Sequence, residues 1–148
     1  MAPNTRTIFQ RVIIPATPQE VYEAFMDPDM HADFTGDRAS GSDKVGGTFH
    51  AADGYITAKN LELVKGEKIV QQWRTSEWPA KAKPSVLTLT LEPIPEGTEL
   101  TMVHSEVPIE QADDYELGWT EYYWEPMVRY FEKRHKPYGK GRKNKEKG

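Results

Sequence analysis

The sequence contains no cysteine. Disulfide staples and thiolate metal centres are thereby excluded, and a reducing, cytoplasmic setting is expected. No stretch approaches the ~20 consecutive apolar residues that a bilayer-crossing helix requires. The opening residues Met1-Ala2-Pro3-Asn4-Thr5-Arg6 also lack the apolar run of a signal peptide. A soluble chain that does not insert into membranes is expected. Catalytic signatures are absent as well: there is no HExxH, no P-loop, no GxGxxG and no serine in a GxSxG elbow. The four histidines, His31, His50, His104 and His135, are too scattered to pair at helical spacing around a metal. Asp113 and Asp114 are adjacent, so on a helix they point about 100° apart, and acids are ordinary at a helix N-terminus. The expectation is a non-enzymatic protein with no catalytic residues, no metal and no cofactor.

Charge is unevenly spread. Residues 1–131 hold 11 Lys+Arg against 21 Asp+Glu, a net of −10, whereas residues 132–148 hold 8 against 2, a net of +6. The basic end has no apolar periodicity, which predicts a solvated, disordered tail over 136–148. It has neither interleaved aromatics nor a recognition motif, so nucleic acid is not expected as a partner. The rest is long enough for one hydrophobic core without staples, since a domain of this size buries about two thirds of its unfolded surface. Residues 1–135 are therefore expected to form a single domain.

Along the chain, the β-branched run at 6–14 reads as a strand ended by Pro15. Thr17-Pro18-Gln19-Glu20 is a capping box with proline at the first helical position, and Val21 and Phe25 follow at i, i+4. Asp27-Pro28 repeats the signal and predicts a second short helix from 28 to about 33. From Phe34 to Val107 the punctuation is that of a β-meander of about six strands. Gly46-Gly47, Asp53-Gly54, Lys65-Gly66-Glu67 and Pro95-Glu96-Gly97 mark its turns. Leu87, Leu89 and Leu91 alternate with threonines, Leu100 and Met102 continue an inward row that His104 extends, and Ile69 and Trp73 share a face. This is the pattern of an antiparallel sheet with one buried face.

A long helix is predicted from 110 to about 133, acidic at its start and basic at its end. Tyr115, Trp119, Tyr122, Pro126 and Tyr130 are read as one stripe, with Tyr123, Met127 and Phe131 beside it. Pro126 should kink the helix at Tyr122, and Gly118 should mark a close approach by a strand or a ligand. The one apolar sheet face needs a cover, and this aromatic helix is the only large candidate. The predicted fold is α+β: a curved antiparallel sheet of six to seven strands gripping a long C-terminal helix, with two short helices after the first strand.

These motifs, in order, resemble a known family. They are Gly46-Gly47-Thr48-Phe49, Asp53-Gly54, Ile69-Val70-Gln71-Gln72-Trp73-Arg74, Trp78-Pro79, Leu87-Thr88-Leu89, Gly97-Thr98-Glu99-Leu100, Val107-Pro108, Gly118-Trp119 and Tyr122-Tyr123-Trp124. The series is similar to the C-terminal domain of activators of the heat-shock protein 90 ATPase. That domain lies within the helix-grip superfamily of START and birch-pollen-allergen-like proteins, and the resemblance runs from about 7 to 131. It implies a co-chaperone-like role in the stress response, with a heat-shock protein 90-type chaperone as partner. Eukaryotic members add a separate N-terminal domain, for which this sequence has no room before the first strand. The superfamily implies a second role, carriage of a small hydrophobic ligand between sheet and helix. Candidate cavity residues are Phe25, Phe34, Trp73, Met102, His104, Trp119, Tyr122 and Tyr123. Arg74 and Trp78, near a strand end, are candidates for anchoring a protein partner. A monomer is expected.

Overall fold

The computed structural model describes residues 5–78 and 82–134. The expected tail at 136–148 lies outside the described residues. Strand β1 (Thr5–Ile14) leads into α1 (Pro18–Met26), which starts as the capping box demands. Thr17 Oγ1 accepts from the Glu20 N–H at 3.2 Å, and the Glu20 carboxylate accepts from the Thr17 N–H at 2.9 Å. Asp27 caps α2 (Pro28–Thr35) by accepting from the backbone of Asp29 and Met30. The meander follows as β2 (Ser40–Gly41), β3 (Thr48–Ala51), β4 (Ile56–Val64), β5 (Lys68–Thr75), β6 (Ser85–Ile94) and β7 (Gly97–Pro108). The chain then forms α3 (Ile109–Gly118), a π-helical turn (Trp119–Trp124) and α4 (Glu125–Arg134), which together make the long C-terminal helix.

All seven strands lie in one antiparallel sheet, ordered β1-β7-β6-β5-β4-β3-β2. Bulges between Arg6 and Ile8 and between Asn60 and Glu62 help it curve. The architecture is the helix-grip fold expected from the sequence. At the β6–β7 hairpin, Gly97 holds φ at +138°, and a Cβ there would sit 2.3 Å from the Ile14 carbonyl oxygen, so only glycine fits. Register turns the alternating pattern into buried rows. Ile8, His104, Leu87, Gln71 and Asn60 stand side by side across five strands. The amides in that row are paired: Gln71 Nε2 donates to Asn60 Oδ1 at 2.9 Å, and Asn60 Nδ2 donates to the Ser42 and Lys44 carbonyls.

The helix face differs from the expected stripe. The buried positions are Ala112, Trp119, Tyr123, Trp124, Met127 and Phe131, while Tyr122 is 64% exposed. The wide turn is the reason. Glu125 N–H bonds to the Thr120 carbonyl, five residues back rather than four, so the inward face shifts by about one position. Pro126 follows directly. Its missing N–H falls where the hydrogen-bond register has already slipped, and the wide turn takes the place of the expected kink.

Two buried histidines fasten this helix. Trp119 Nε1 donates to His104 Nδ1 at 3.1 Å, which leaves the proton of a neutral imidazole on Nε2, 2.7 Å from Ser85 Oγ. Ser85 in turn donates to the Trp73 carbonyl at 2.7 Å. On α2, His31 Nδ1 donates to the Phe25 carbonyl at 2.8 Å, so its Nε2 accepts from the Tyr123 hydroxyl at 2.8 Å. Burial holds both imidazoles neutral, lowering His31 to about 4 and His104 to about 3.

Two predictions follow from this packing. Trp119→Ala removes both the largest helix contact and the His104 bond, and should cost about 3–5 kcal/mol in urea unfolding. A loss below about 1 kcal/mol would contradict the packing described. The histidines also set an acid response. Because their folded pKa values lie below the unfolded value of about 6.5, the unfolded chain binds the extra protons. Stability is therefore fully present above neutrality and falls as pH drops through 6.5 toward 4, by up to about 1.4 kcal/mol per pH unit for each histidine. Thermal melts between pH 7 and 5 should show this decline, and His31→Gln should reduce its slope. A flat profile would contradict neutral burial.

Candidate functional site

The grip is not closed everywhere. Between the sheet, the end of α2 and the wide turn lies a cavity of about 390 Å³. Trp73 reaches it from β5, Trp119, Tyr122 and Tyr123 from the wide turn, and Asp114, Tyr115 and Gly118 from α3. Thr35 and Asp37 border it at the end of α2, Ala52, Tyr55 and Ile56 where β3 gives way to β4, and Glu77 just beyond β5. In so wide a turn, positions four and five apart share a face, so Gly118, Trp119, Tyr122 and Tyr123 border the same space. A Cβ on Gly118 would meet only a ring carbon of Tyr122, at 3.7 Å. No strand backbone approaches that glycine; it fronts the cavity.

The aromatic wall is continuous with the core. The Trp73 ring meets His104 edge-on at 4.7 Å, Tyr115 at 5.4 Å and Trp119 at 5.7 Å. Tyr123 packs on Trp119 at 4.8 Å. Tyr115 Oη lies 2.8 Å from Thr75 Oγ1 and accepts from the Trp78 indole at 2.8 Å. Tyr55 donates to the Glu77 carboxylate. Burial pushes the phenols of Tyr55, Tyr115 and Tyr123 up. Glu77 adds to the shift for Tyr55 and Tyr115, and the Asp37 charge adds to it for Tyr123. All three stay protonated at neutral pH. Among the described residues, the charged groups at the cavity are therefore the carboxylates of Asp37, Glu77 and Asp114, with no lysine or arginine bordering it.

Of the residues the sequence suggested for a cavity, Trp73, Trp119, Tyr122 and Tyr123 are brought together there, Tyr122 from an exposed position. Phe25, Phe34, Met102 and His104 do not border it. Phe25 and Phe34 pack around His31 and Tyr123 instead, and Met102 and His104 are wholly buried on β7. Arg74 and Trp78 are not an exposed anchor. Trp78 is 5% exposed, packed against Trp73 and Tyr115, while the Arg74 guanidinium donates to the carbonyls of Ala82 and Trp78. The correction has a physical reason: an indole with an available N–H acceptor, here Tyr115, is better inside. Tyr55, Glu77 and Asp37 are bordering residues that sequence reasoning missed, because they sit in turns with no periodicity to betray them. Gly118, read in the sequence as a close approach by a strand or a ligand, borders the cavity with them.

Among the described residues no group of three His, Asp or Glu stands close enough to hold a metal ion. No described helix is long and apolar enough to cross a membrane.

Residues 15–132 match the family described as Activator of Hsp90 ATPase homolog 1-like protein. The human activator of 90 kDa heat shock protein ATPase homolog 1 is 30% identical over 115 residues, which cover 78% of this chain and 34% of that one. The chain thus spans about a third of the length of the curated relatives it matches. Among solved structures, a Mesorhizobium loti protein superposes with a TM-score of 0.73 at 24% identity, over 86% of this chain and 98% of that one. An HSP90 activator from Plasmodium falciparum does so with a TM-score of 0.69 at 22% identity, over 88% and 94%. At these identities the two structures speak for the fold alone. The sequence match, running from before α1 through the whole meander and into α4, shows that this chain belongs to the Activator of Hsp90 ATPase homolog 1-like family.

Proposed function

We propose that this chain acts by protein contact, as a relative of the heat-shock protein 90 ATPase activator that docks on a chaperone of that type. The observation that supports it is the family match over residues 15–132, which takes in nearly every described element. The surface suits such a role: residues 1–131 carry a net charge of −10, which favours encounter with a basic face and makes the contact salt-sensitive. Adding the full chain to its cognate chaperone should change the rate of ATP turnover, and the two should co-migrate at low salt. Unchanged turnover together with separate migration rejects this reading.

A second reading has its own observation, the aromatic cavity of about 390 Å³. Ligand pockets span about 300–1,000 Å³ and are mostly apolar with a few polar groups. The chain would then carry or sense a small molecule with an apolar body. Gly118 offers a direct test, since glycine within a helix costs about 1 kcal/mol relative to alanine. Gly118→Leu should raise the melting temperature of the free protein, because its backbone is helical and the added Cβ meets only Tyr122, at an ordinary contact distance. It should also abolish binding of an environment-sensitive hydrophobic dye that quenches tryptophan in the native protein. A native protein whose fluorescence and melting temperature ignore saturating dye has no working pocket.

A further inference from the structure

We propose that the cavity selects a small organic cation, a tertiary or quaternary ammonium on an apolar body. This rests on the ligand-binding reading of the pocket and narrows it to one chemical class. Three features converge. Among the described residues, every acidic or basic side chain at the cavity is a carboxylate, Asp37, Glu77 or Asp114, and none of them forms an ion pair. The apolar wall is built from indole and phenol rings, whose faces carry the negative end of the ring quadrupole and attract ammonium groups.

The third feature is where the donors point. An anionic ligand needs free N–H or O–H groups, and at this cavity most are committed elsewhere. The Trp119 N–H goes to His104, the Tyr123 hydroxyl to His31, the Tyr55 hydroxyl to Glu77, and the Thr35 hydroxyl to the His31 carbonyl. What remains for a ligand is the Trp73 N–H and the Tyr122 hydroxyl, together with acceptors and ring faces. A fatty acid would bring a fourth carboxylate beside three others. A quaternary ammonium asks for no acceptor geometry at all, only negative potential and apolar contact, and both are supplied.

The test is calorimetric titration of the full chain with three probes of similar size. These are phenyltrimethylammonium, its uncharged carbon isostere tert-butylbenzene, and the anion benzoate. The ammonium should bind about tenfold more tightly than the isostere, with benzoate weakest, as expected for a desolvated cation–π contact assisted by carboxylates. Raising the salt should shrink the ratio. The double substitution Asp37→Asn and Asp114→Asn, at two exposed positions, should remove most of the advantage and leave tert-butylbenzene affinity unchanged. An isostere that binds as tightly as the ammonium overturns cation selection while leaving the pocket intact. A ratio that survives the double substitution overturns the role given to these carboxylates. No saturable binding of any probe removes the pocket reading, and this proposal with it.

Discussion

The hydrogen bond from the Trp119 indole to the His104 imidazole decides how the long helix lies on the sheet. An indole has one N–H with one direction, and a buried neutral imidazole has one acceptor. Joining them fixes both the rotation of the helix about its axis and its position along β7. The bond continues inward through Ser85 to the Trp73 carbonyl, so strands β5, β6 and β7 are all tied to the same helical residue. With that rotation set, Tyr123 falls against His31 and the helix is held a second time, now to α2. Each clamp needs its histidine neutral. A proton added to His104 Nδ1 would face an indole N–H, and one added to His31 Nε2 would face the tyrosine that now donates to it. The desolvation of both rings and the direction of their partners act together to hold them neutral.

How much of this was legible depends on how local each cause is. The caps at Thr17 and Asp27, the four glycine-bearing turns and the Leu87–Leu91 alternation are decided by residues within a few positions of each other, and they formed where the pattern put them. The long helix was also legible, and so was its role as cover. Its inward face was not. A π-helical turn is less favourable than an α-helical one in isolation and is retained here where Trp119 and Tyr123 each meet a distant histidine, so no reading of period 3.6 finds it. The misassignment of Tyr122 follows directly. His31 shows the same limit: in sequence it is one polar residue in a short helix, and only its distance from Tyr123 gives it a role. Trp78 looked like an exposed anchor because its partner, Tyr115, lies 37 positions away. A cavity is harder still, because it is a shape left between elements. Its marks in the sequence were the mid-helix glycine and the aromatics Trp73, Trp119, Tyr122 and Tyr123.

Family membership and the pocket bear on different parts of the molecule. The docking reading uses the exposed, acid-rich surface, while the ligand reading uses space enclosed between the wide turn and the sheet. They do not compete for side chains, apart from the exposed acids at the cavity mouth. Those acids serve both readings, since the same negative potential that would draw in a basic partner surface also favours a cation in the cavity. The helix that bears the clamps forms one wall of the cavity, so an occupant would press on the element that holds the fold together.

Several locally costly features of the chain gather at the cavity. Gly118 weakens the helix at the point where a larger residue would project into the space. The π-helical turn beside it gives up regular hydrogen bonding. Across the cavity, Ala52 holds φ at +51°, a left-handed value that residues other than glycine adopt at a cost. These features arise in separate segments, through different chemistry, and meet at one place. A few ångströms away, around His31, the rings of Phe25, Phe34, Phe49 and Tyr123 close without any such concession. A mid-helix glycine, a widened turn and the left-handed Ala52 thus border one open, carboxylate-rimmed space, and it is on that meeting that the ligand-binding proposal rests.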